Sequence, residues 1–196
     1  MKKQLQLLIF LLPLTILSQT QLGSDIDGED FNTYFGTSVS ISGDGTVIAG
    51  GAPANSDNGP NAGHVRVYQY NGSAWVQLGG DIDGEASNDD SGRSVSLSDD
   101  GSIVAIGAPG NDGNGNGSGH VRVYQYSGGT WSQLGSNING EAEFDRSGFT
   151  ISLSASGSRI AIGANGNDGN GNASGHVRIY EYSGGSWSKL GADIDG

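Results

Sequence analysis

Short stretches in which apolar and polar residues alternate recur along the chain after residue 20. In "RSVSLS" (Arg93–Ser98), Val95 and Leu97 alternate with serines, which is the period of a β-strand. Turn sequences ("DDG", "PGNDGNGNGSG", "SGG") separate this stretch from three others that are rich in β-branched and aromatic residues. The pattern predicts an all-β chain of short antiparallel strands, named a to d within this stretch of sequence: Arg93–Ser98, Ser102–Ala108, His120–Tyr126 and Thr130–Gly135.

The strand pattern repeats with a period of 56 residues. "QLGSDIDGE" at Gln21 returns as "QLGGDIDGE" at Gln77 and "QLGSNINGE" at Gln133, and a truncated "KLGADIDG" begins at Lys189. Four-stranded units of this size are typical of β-propeller blades. The predicted units are residues 21–76, 77–132, 133–188 and a partial 189–196, which gives three full blades and the start of a fourth in an incomplete propeller. A β-trefoil or β-prism is the alternative, and the trailing fourth copy favours the longer array.

The size of the side chains predicts the order of strands within a blade. Strands a and b carry mainly Ser, Ala, Gly and Val, whereas strands c and d carry Tyr and Trp. Because blades converge on the propeller axis, we expect strand a to be innermost and strand d outermost. The b–c and d–a loops then share one face, the loop face, which we expect to bind a ligand because it gathers Asp81, Asp83, Glu85, Asp89, Asp90 and Asp112.

The first 18 residues have the pattern of a secretory signal. Lys2 and Lys3 precede an apolar run over residues 7–17, and the small Ser18 precedes the predicted mature chain, residues 19–196. The run is shorter than the roughly 20 residues of a spanning helix. The signal pattern predicts secretion or display at the cell surface, with no membrane span after cleavage. A buried N-terminal helix is the alternative.

Composition and charge exclude several classes of function. The chain has no cysteine, which excludes disulfides, thiolate catalysis and iron–sulfur clusters. It has 9 Lys and Arg against 21 Asp and Glu, a net charge of −12. So acidic a protein repels nucleic acid and anionic lipid, and it suits divalent cations or basic partners.

The glycine-rich b–c loop contains a candidate calcium motif. "DGNGNG" (Asp112–Gly117) matches the opening of an EF-hand loop, although Val123 stands where that loop has its glutamate. The sequence predicts at most a weak Ca²⁺ site of the millimolar kind. The alternative is a turn that uses Asn and Gly for their left-handed backbone. The candidate ligands in the second and third units are Asp112, Asn114, Asn116, Asp168, Asn170 and Asn172.

Other residues that resemble a catalytic set are interpreted as structural. The pair Asp81/Asp83 becomes Asn137/Asn139 one unit later, and amides cannot perform acid–base chemistry. The three histidines, His64, His120 and His176, occupy the same position of strand c, so they belong to different blades and cannot converge on one metal. We expect Arg122 to pair with a carboxylate such as Glu85 or to stack on a ring. No residue is assigned as catalytic.

The segment "FGTSVSISGDGTVIAGGAP" (Phe35–Pro53) resembles the FG-GAP repeats that build the propeller of integrin α-subunits and of many bacterial surface proteins. The FG occurs in the first unit only, and Ser-Gly replaces it in the next two. GAP recurs at Gly107–Pro109 and becomes Gly163–Asn165 in the third unit. The family's aspartate-rich calcium loop is reduced here to a short turn such as "SGDG" (Ser42–Gly45), which cannot supply six to eight oxygens. That calcium site is therefore not transferred to this chain.

The resemblance implies a secreted or cell-surface, non-enzymatic propeller module that binds a protein or a glycan. The alternative is a set of blades from a larger propeller enzyme or lectin whose active site lies outside this fragment.

Overall fold

The computed structural model describes residues 20–196, which form three β-sheets. The predicted signal segment, residues 1–18, lies outside the described residues. Within the described part of the chain, no helix has the length and apolarity needed to cross a membrane.

Each sheet has four antiparallel strands in the order of the sequence and one additional short strand. This architecture confirms the predicted propeller-like blades, and the array is not closed. The first blade contains β1 (Ser38–Ile41), β2 (Val47–Ala52), β3 (His64–Tyr70), β4 (Trp75–Gln77) and β5 (Ile82–Asp83). The second contains β6 (Ser94–Leu97), β7 (Ile103–Ala108), β8 (His120–Ser127), β9 (Thr130–Gln133) and β10 (Ile138–Asn139). The third contains β11 (Ser147–Leu153), β12 (Arg159–Ala164), β13 (His176–Ser183), β14 (Ser186–Lys189) and β15 (Ile194–Asp195).

The fifth strand of each blade was not predicted from the sequence. Strand β4 pairs with the end of β3, at Tyr68–Tyr70, and β5 pairs with its beginning, at His64–Val65. The predicted strand d, Thr130–Gly135, ends instead at Gln133, and Gly135 lies beyond it with a φ of +76°. The two-residue strand that follows is too short to give an alternating pattern.

The hydrophobic core lies between neighbouring sheets. In the second blade, Val104 and Ile106 pack in the layer shared with the first blade, whereas Val121 and Val123 pack in the layer shared with the third. Both faces of this middle sheet are therefore buried. The outward faces of the terminal sheets remain open, and they expose Val39, Ile41, Val177 and Ile194.

Strand a of each blade contacts strand a of the next. The amide of Leu97 in β6 donates to Ser40 Oγ in β1 at 2.9 Å, and Leu153 in β11 repeats the bond with Ser96 at 2.9 Å. The sheets thus converge along β1, β6 and β11, which agrees with the predicted inner position of strand a.

The glycine of GAP lies directly against the next blade. A Cβ on Gly51 would overlap the carbonyl oxygen of Gly92, and a Cβ on Gly107 would overlap that of Gly148. The same carbonyls accept hydrogen bonds from the Oγ of Ser38 (2.7 Å) and of Ser94 (2.8 Å). Glycine is required because this close approach leaves no space for a side chain.

In the second and third units, the d–a loop is bonded to the b–c loop of the preceding blade. Asn88 N donates to the Pro60 carbonyl at 2.8 Å, and Ser91 N donates to that of Ala62 at 3.0 Å. One unit later, Phe144 N and Ser147 N make the equivalent bonds at 2.8 and 2.9 Å. The two kinds of loop therefore share a face, as predicted.

Gly107→Ala should weaken the contact between the second and third blades. The new methyl group has to displace backbone, so we expect a loss of about 1–3 kcal/mol in the free energy of unfolding, measured by urea titration. Gly163→Ala is the matched control. A Cβ there would overlap the flexible Thr150 side chain and no neighbouring blade. Equal losses for the two variants would contradict this explanation of the motif.

Candidate functional site

The d–a loops repeat a strained backbone that carries different side chains. Two non-glycine positions in each loop have φ values between +54° and +65°, a region that few residues adopt. The hydrogen bonds to the preceding b–c loop hold the chain in this conformation in the second and third units. The first position carries Asn32, Asn88 and Phe144 in successive units, and the second carries Tyr34, Asp90 and Arg146.

Between the second and third blades these loops line a cleft of about 590 Å³, referred to below as the loop-face cleft. One wall is the b–c loop of the second blade, and the others are two d–a loops with the strand residues that follow them. The lining residues are Ser87, Asn88, Asp90, Arg93, Pro109, Gly110, Asp112, Asn116, Gly117, Phe144, Arg146 and Phe149.

The loop-face cleft combines both signs of charge with an aromatic surface. Phe144 is 59% exposed, and the guanidinium of Arg93 lies 4.5 Å from the centroid of the Phe149 ring. Partial burial raises the pKa of Asp90, and the nearby Arg93 opposes this effect. The cleft can therefore offer a ligand an apolar surface and charged hydrogen-bonding groups together.

The structure divides the predicted acidic residues of the loop face into three groups. Asp90 and Asp112 line the loop-face cleft. Asp89 is buried and accepts hydrogen bonds from Ala86 N at 3.1 Å and Asn111 Nδ2 at 3.0 Å, so it holds loops together. The remaining three, Asp81, Asp83 and Glu85, lie near the buried histidines.

The candidate calcium ligands of the b–c loops bond to the protein's own backbone. Asp112 Oδ1 accepts from Gly117 N at 2.7 Å, and Asp168 Oδ1 accepts from Ala173 N at 2.7 Å. Asn114 Nδ2 donates to the Gly140 carbonyl at 2.8 Å. Asn170 Nδ2 repeats this bond with the Gly196 carbonyl at 2.8 Å. The other two candidates differ, because Asn116 lines the loop-face cleft and Asn172 is exposed.

Calcium binding at these loops stays a prediction. We expect at most a millimolar dissociation constant, as in extracellular modules. Calorimetry with Ca²⁺ measures it, and the double variant Asp112→Asn, Asp168→Asn should abolish the heat of binding because it removes the carboxylate of both loops. A heat that survives in the double variant would place the ion elsewhere.

The three histidines begin strand c of their blades and are buried, with 1% of His64 and of His120 exposed and 6% of His176. Among residues 20–196, each group of potential metal ligands contains one histidine, so the three do not converge, as predicted. Each Nδ1 instead faces carboxylates of neighbouring loops, which come from the following d–a loop for His64 and from the preceding d–a loop for His120 and His176. His64 Nδ1 is 3.8 Å from Asp81 Oδ2, and His120 Nδ1 is 3.8 Å from Glu85 Oε2.

Sequence reasoning missed the group of His64, Asp81 and Asp83 because it missed the fifth strand. Strand β5 pairs Asp83 with His64 and Ile82 with Val65. This pairing brings "DID" beside the histidine of the same blade. The sequence signal was the repeated "DID" and "NIN" themselves, in which a buried Ile82 or Ile138 alternates with polar residues.

The buried arginines of strand c connect successive blades. Arg122 Nη2 donates to the Asp83 carbonyl at 2.6 Å, and its Nη1 lies 3.8 Å from Glu85 Oε1. Its guanidinium also lies 5.5 Å from the centroid of the Tyr124 ring. The predicted pairing with Glu85 and stacking on a ring are thus confirmed. Arg66 and Arg178 repeat the arrangement with Glu29 (3.0 Å) and Glu141 (3.3 Å).

Burial, and to a smaller extent the positive charge of Arg122, lower the pKa of His120 to about 4, and the nearby Asp89 opposes both effects. The imidazole is therefore neutral at pH 7, whereas in the unfolded chain it titrates near 6.5. Between these two values the unfolded state binds the additional proton. Stability from this group is fully present above pH 6.5 and falls as the pH drops towards 4.

As the pH falls from 6.5 to 4, protonation of His120 in the unfolded state should reduce the free energy of unfolding by about 3 kcal/mol. Urea titrations of the wild type and of His120→Gln across this range measure the effect. The variant should have a lower stability at pH 7 and a shallower dependence on pH. Parallel profiles would show that His120 is not responsible.

The sequence matches one known family. A family model described as FG-GAP repeat matches residues 24–68 and 82–124. No curated protein has significant sequence similarity to the chain.

Among solved structures, the hydrazine synthase of Kuenenia stuttgartiensis matches with a TM-score of 0.52 and 11% identity over 88% of this chain and 41% of its own. Saccharomyces cerevisiae Sqt1 matches with a TM-score of 0.50 and 15% identity, over 85% of this chain and 36% of its own. The periplasmic gluconolactonase PpgL of Pseudomonas aeruginosa matches with a TM-score of 0.50 and 17% identity, over 81% of this chain and 42% of its own. This chain thus spans about two fifths of the length of these proteins, and such identities establish a shared fold alone.

Proposed function

Because the chain is an FG-GAP repeat protein, we propose that it is a secreted or cell-surface binding module and not an enzyme. The loop-face cleft holds the ligand, which is an extracellular protein or glycan. FG-GAP repeats typically occur in extracellular proteins, and the predicted signal at residues 1–18 fits the same location.

One observation carries the proposal: the d–a loops keep one backbone conformation while their exposed side chains change. Residues in the left-handed region cost free energy, and such strain is concentrated at functional sites. A rigid scaffold that presents different side chains from one loop position is a common design of binding proteins. Here Asn88 and Asp90 become Phe144 and Arg146 across a single cleft.

The chemistry of the loop-face cleft favours a protein or glycan ligand. An exposed ring such as Phe144 can cover the apolar face of a sugar or a peptide side chain. Asp90, Asp112 and Arg146 can bond to hydroxyl, amide or charged groups beside it. A net charge of −12 disfavours nucleic acid and anionic membranes as partners.

The fold by itself fits both binding and catalysis, because the solved neighbours include a gluconolactonase, a hydrazine synthase and Sqt1. The alternative function is therefore a set of blades from a larger propeller enzyme or lectin with its active site outside residues 20–196. Under that alternative, changes in the loop-face cleft leave binding unchanged.

The double variant Phe144→Asn, Arg146→Asp tests the proposal. It gives the third unit the residues that the second unit already carries at the same φ values, so the backbone should tolerate it. We probe a glycan array and a panel of extracellular matrix proteins with the labelled protein. The variant should lose the signal of each wild-type ligand by about 10-fold or more, as expected when an aromatic anchor and a charge are removed from an interface.

Ser156→Asp is the control on the opposite face. It copies Asp44 and Asp100 of the first two a–b turns, where the carboxylate accepts bonds from the neighbouring serine and threonine side chains. Both variants should melt within a few degrees of the wild type. A wild-type ligand that binds the double variant equally well would overturn the assignment of the loop-face cleft.

A further inference from the structure

Around His64, four carboxylates approach one buried imidazole. Asp81 and Asp83 come from the segment that contains β5, Asp57 comes from the b–c loop, and Glu29 comes from the segment that precedes the first blade. In the group His64, Asp81 and Asp83, the three possible ligand atoms all lie within 4.8 Å of one another. The same holds for the group Glu29, Asp57 and His64.

The imidazole of His64 has no hydrogen-bond partner among the described residues, at Nδ1 or at Nε2. Its side chain is 1% exposed, and Nδ1 points towards Asp81 Oδ2 at 3.8 Å and Asp57 Oδ2 at 4.0 Å. An unpaired buried polar group costs free energy, so each one in a native protein requires an explanation. A neutral imidazole nitrogen is a common metal ligand, and carboxylate oxygens beside it can complete a metal site.

Cations of the protein balance the charges around His64 only in part. Arg66 pairs with Glu29 at 3.0 Å, and Arg122 donates to the backbone carbonyl of Asp83 at 2.6 Å. Among residues 20–196, no lysine or arginine forms an ion pair with the carboxylates of Asp57, Asp81 and Asp83. A cation bound beside His64 would reduce the repulsion between the neighbouring carboxylates of Asp81 and Asp83.

We propose that the first blade binds a divalent transition metal through His64, Asp81 and Asp83, with Asp57 at the rim of the site. One imidazole nitrogen with carboxylate oxygens suits Zn²⁺ better than Ca²⁺, which prefers oxygen ligands alone. Two ligands of a tetrahedral zinc lie about 3.4 Å apart when each bond is about 2.1 Å. The observed separations require only small movements of exposed carboxylates. The site is separate from the loop-face cleft and from the candidate calcium loop.

The other blades have the same backbone but different ligands. In the second blade the positions of Asp57, Asp81 and Asp83 are occupied by Gly113, Asn137 and Asn139. In the third blade the carboxylate of Asp193 is bonded to Lys189, with Nζ to Oδ1 at 2.7 Å. His120 still has Glu85 and Asp89 nearby, but Glu85 also faces Arg122, and Asp89 is hydrogen-bonded within the loops. Amides at the two ligand positions, or a resident ammonium, weaken cation binding, so the proposed metal belongs to the first blade.

The double variant Asp81→Asn, Asp83→Asn tests the site without endangering the fold, because it gives the first blade the amides that the second blade carries. We titrate Zn²⁺ into the chelator-treated protein by calorimetry. The wild type should bind one Zn²⁺ with saturation. The double variant and His64→Gln should each bind about 100-fold more weakly or not at all, since even the loss of an outer-shell partner costs up to that factor.

The other histidine sites and the calcium loop provide the controls. His176→Gln and Asp112→Asn should leave the affinity for Zn²⁺ unchanged, and Zn²⁺ should raise the melting temperature of the wild type but not of the double variant. Cobalt(II) gives a second readout, because its visible absorption should depend on His64. Absence of saturable Zn²⁺ binding, or equal binding by the wild type and the double variant, would overturn the proposal.

Discussion

The close approach of one blade to the next is the constraint on which this structure depends. Gly51 lies against Gly92, and Gly107 lies against Gly148, at distances that admit no side chain. A single four-stranded sheet cannot bury its own faces, so its stability comes from neighbours that approach closely enough to exclude water. The glycines therefore fix the spacing at which the valines and isoleucines of adjacent sheets form a core.

This spacing also explains why the loops behave as they do. Once the sheets are in contact, each d–a loop runs along the b–c loop of the preceding blade, and backbone hydrogen bonds set its conformation. Because those bonds involve no side chains, residues in the loop can change without altering its shape. Phe144 and Arg146 occupy the backbone positions of Asn88 and Asp90, which is how a repeat scaffold acquires a surface specific to one blade.

The charges of the molecule follow the same logic of constant backbone and variable side chains. In every blade a buried arginine of strand c contacts a glutamate and a backbone carbonyl of the preceding segment, so part of the acid is balanced and structural. The aspartates whose carboxylates pair with no arginine differ between blades. Beside His64 the fifth strand and the residues before it carry Asp81 and Asp83, whereas the second blade carries Asn137 and Asn139 at the same positions. Differences between copies therefore point to function better than the residues that recur.

The sequence by itself determined the all-β class, the period of 56 residues, the order of strands a to d and the shared face of the long loops. Each of these follows from local patterns, alternation and turn residues, that recur three times. It also separated the histidines, because they lie on strand c, away from the propeller axis, and each belongs to a different blade. Only the tertiary structure decided which side chains come together. Strand β5 is two residues long and has no pattern of its own, yet its pairing brings Asp83 to His64. The loop-face cleft likewise combines residues from two units, because contacts between blades depend on how closely the sheets approach.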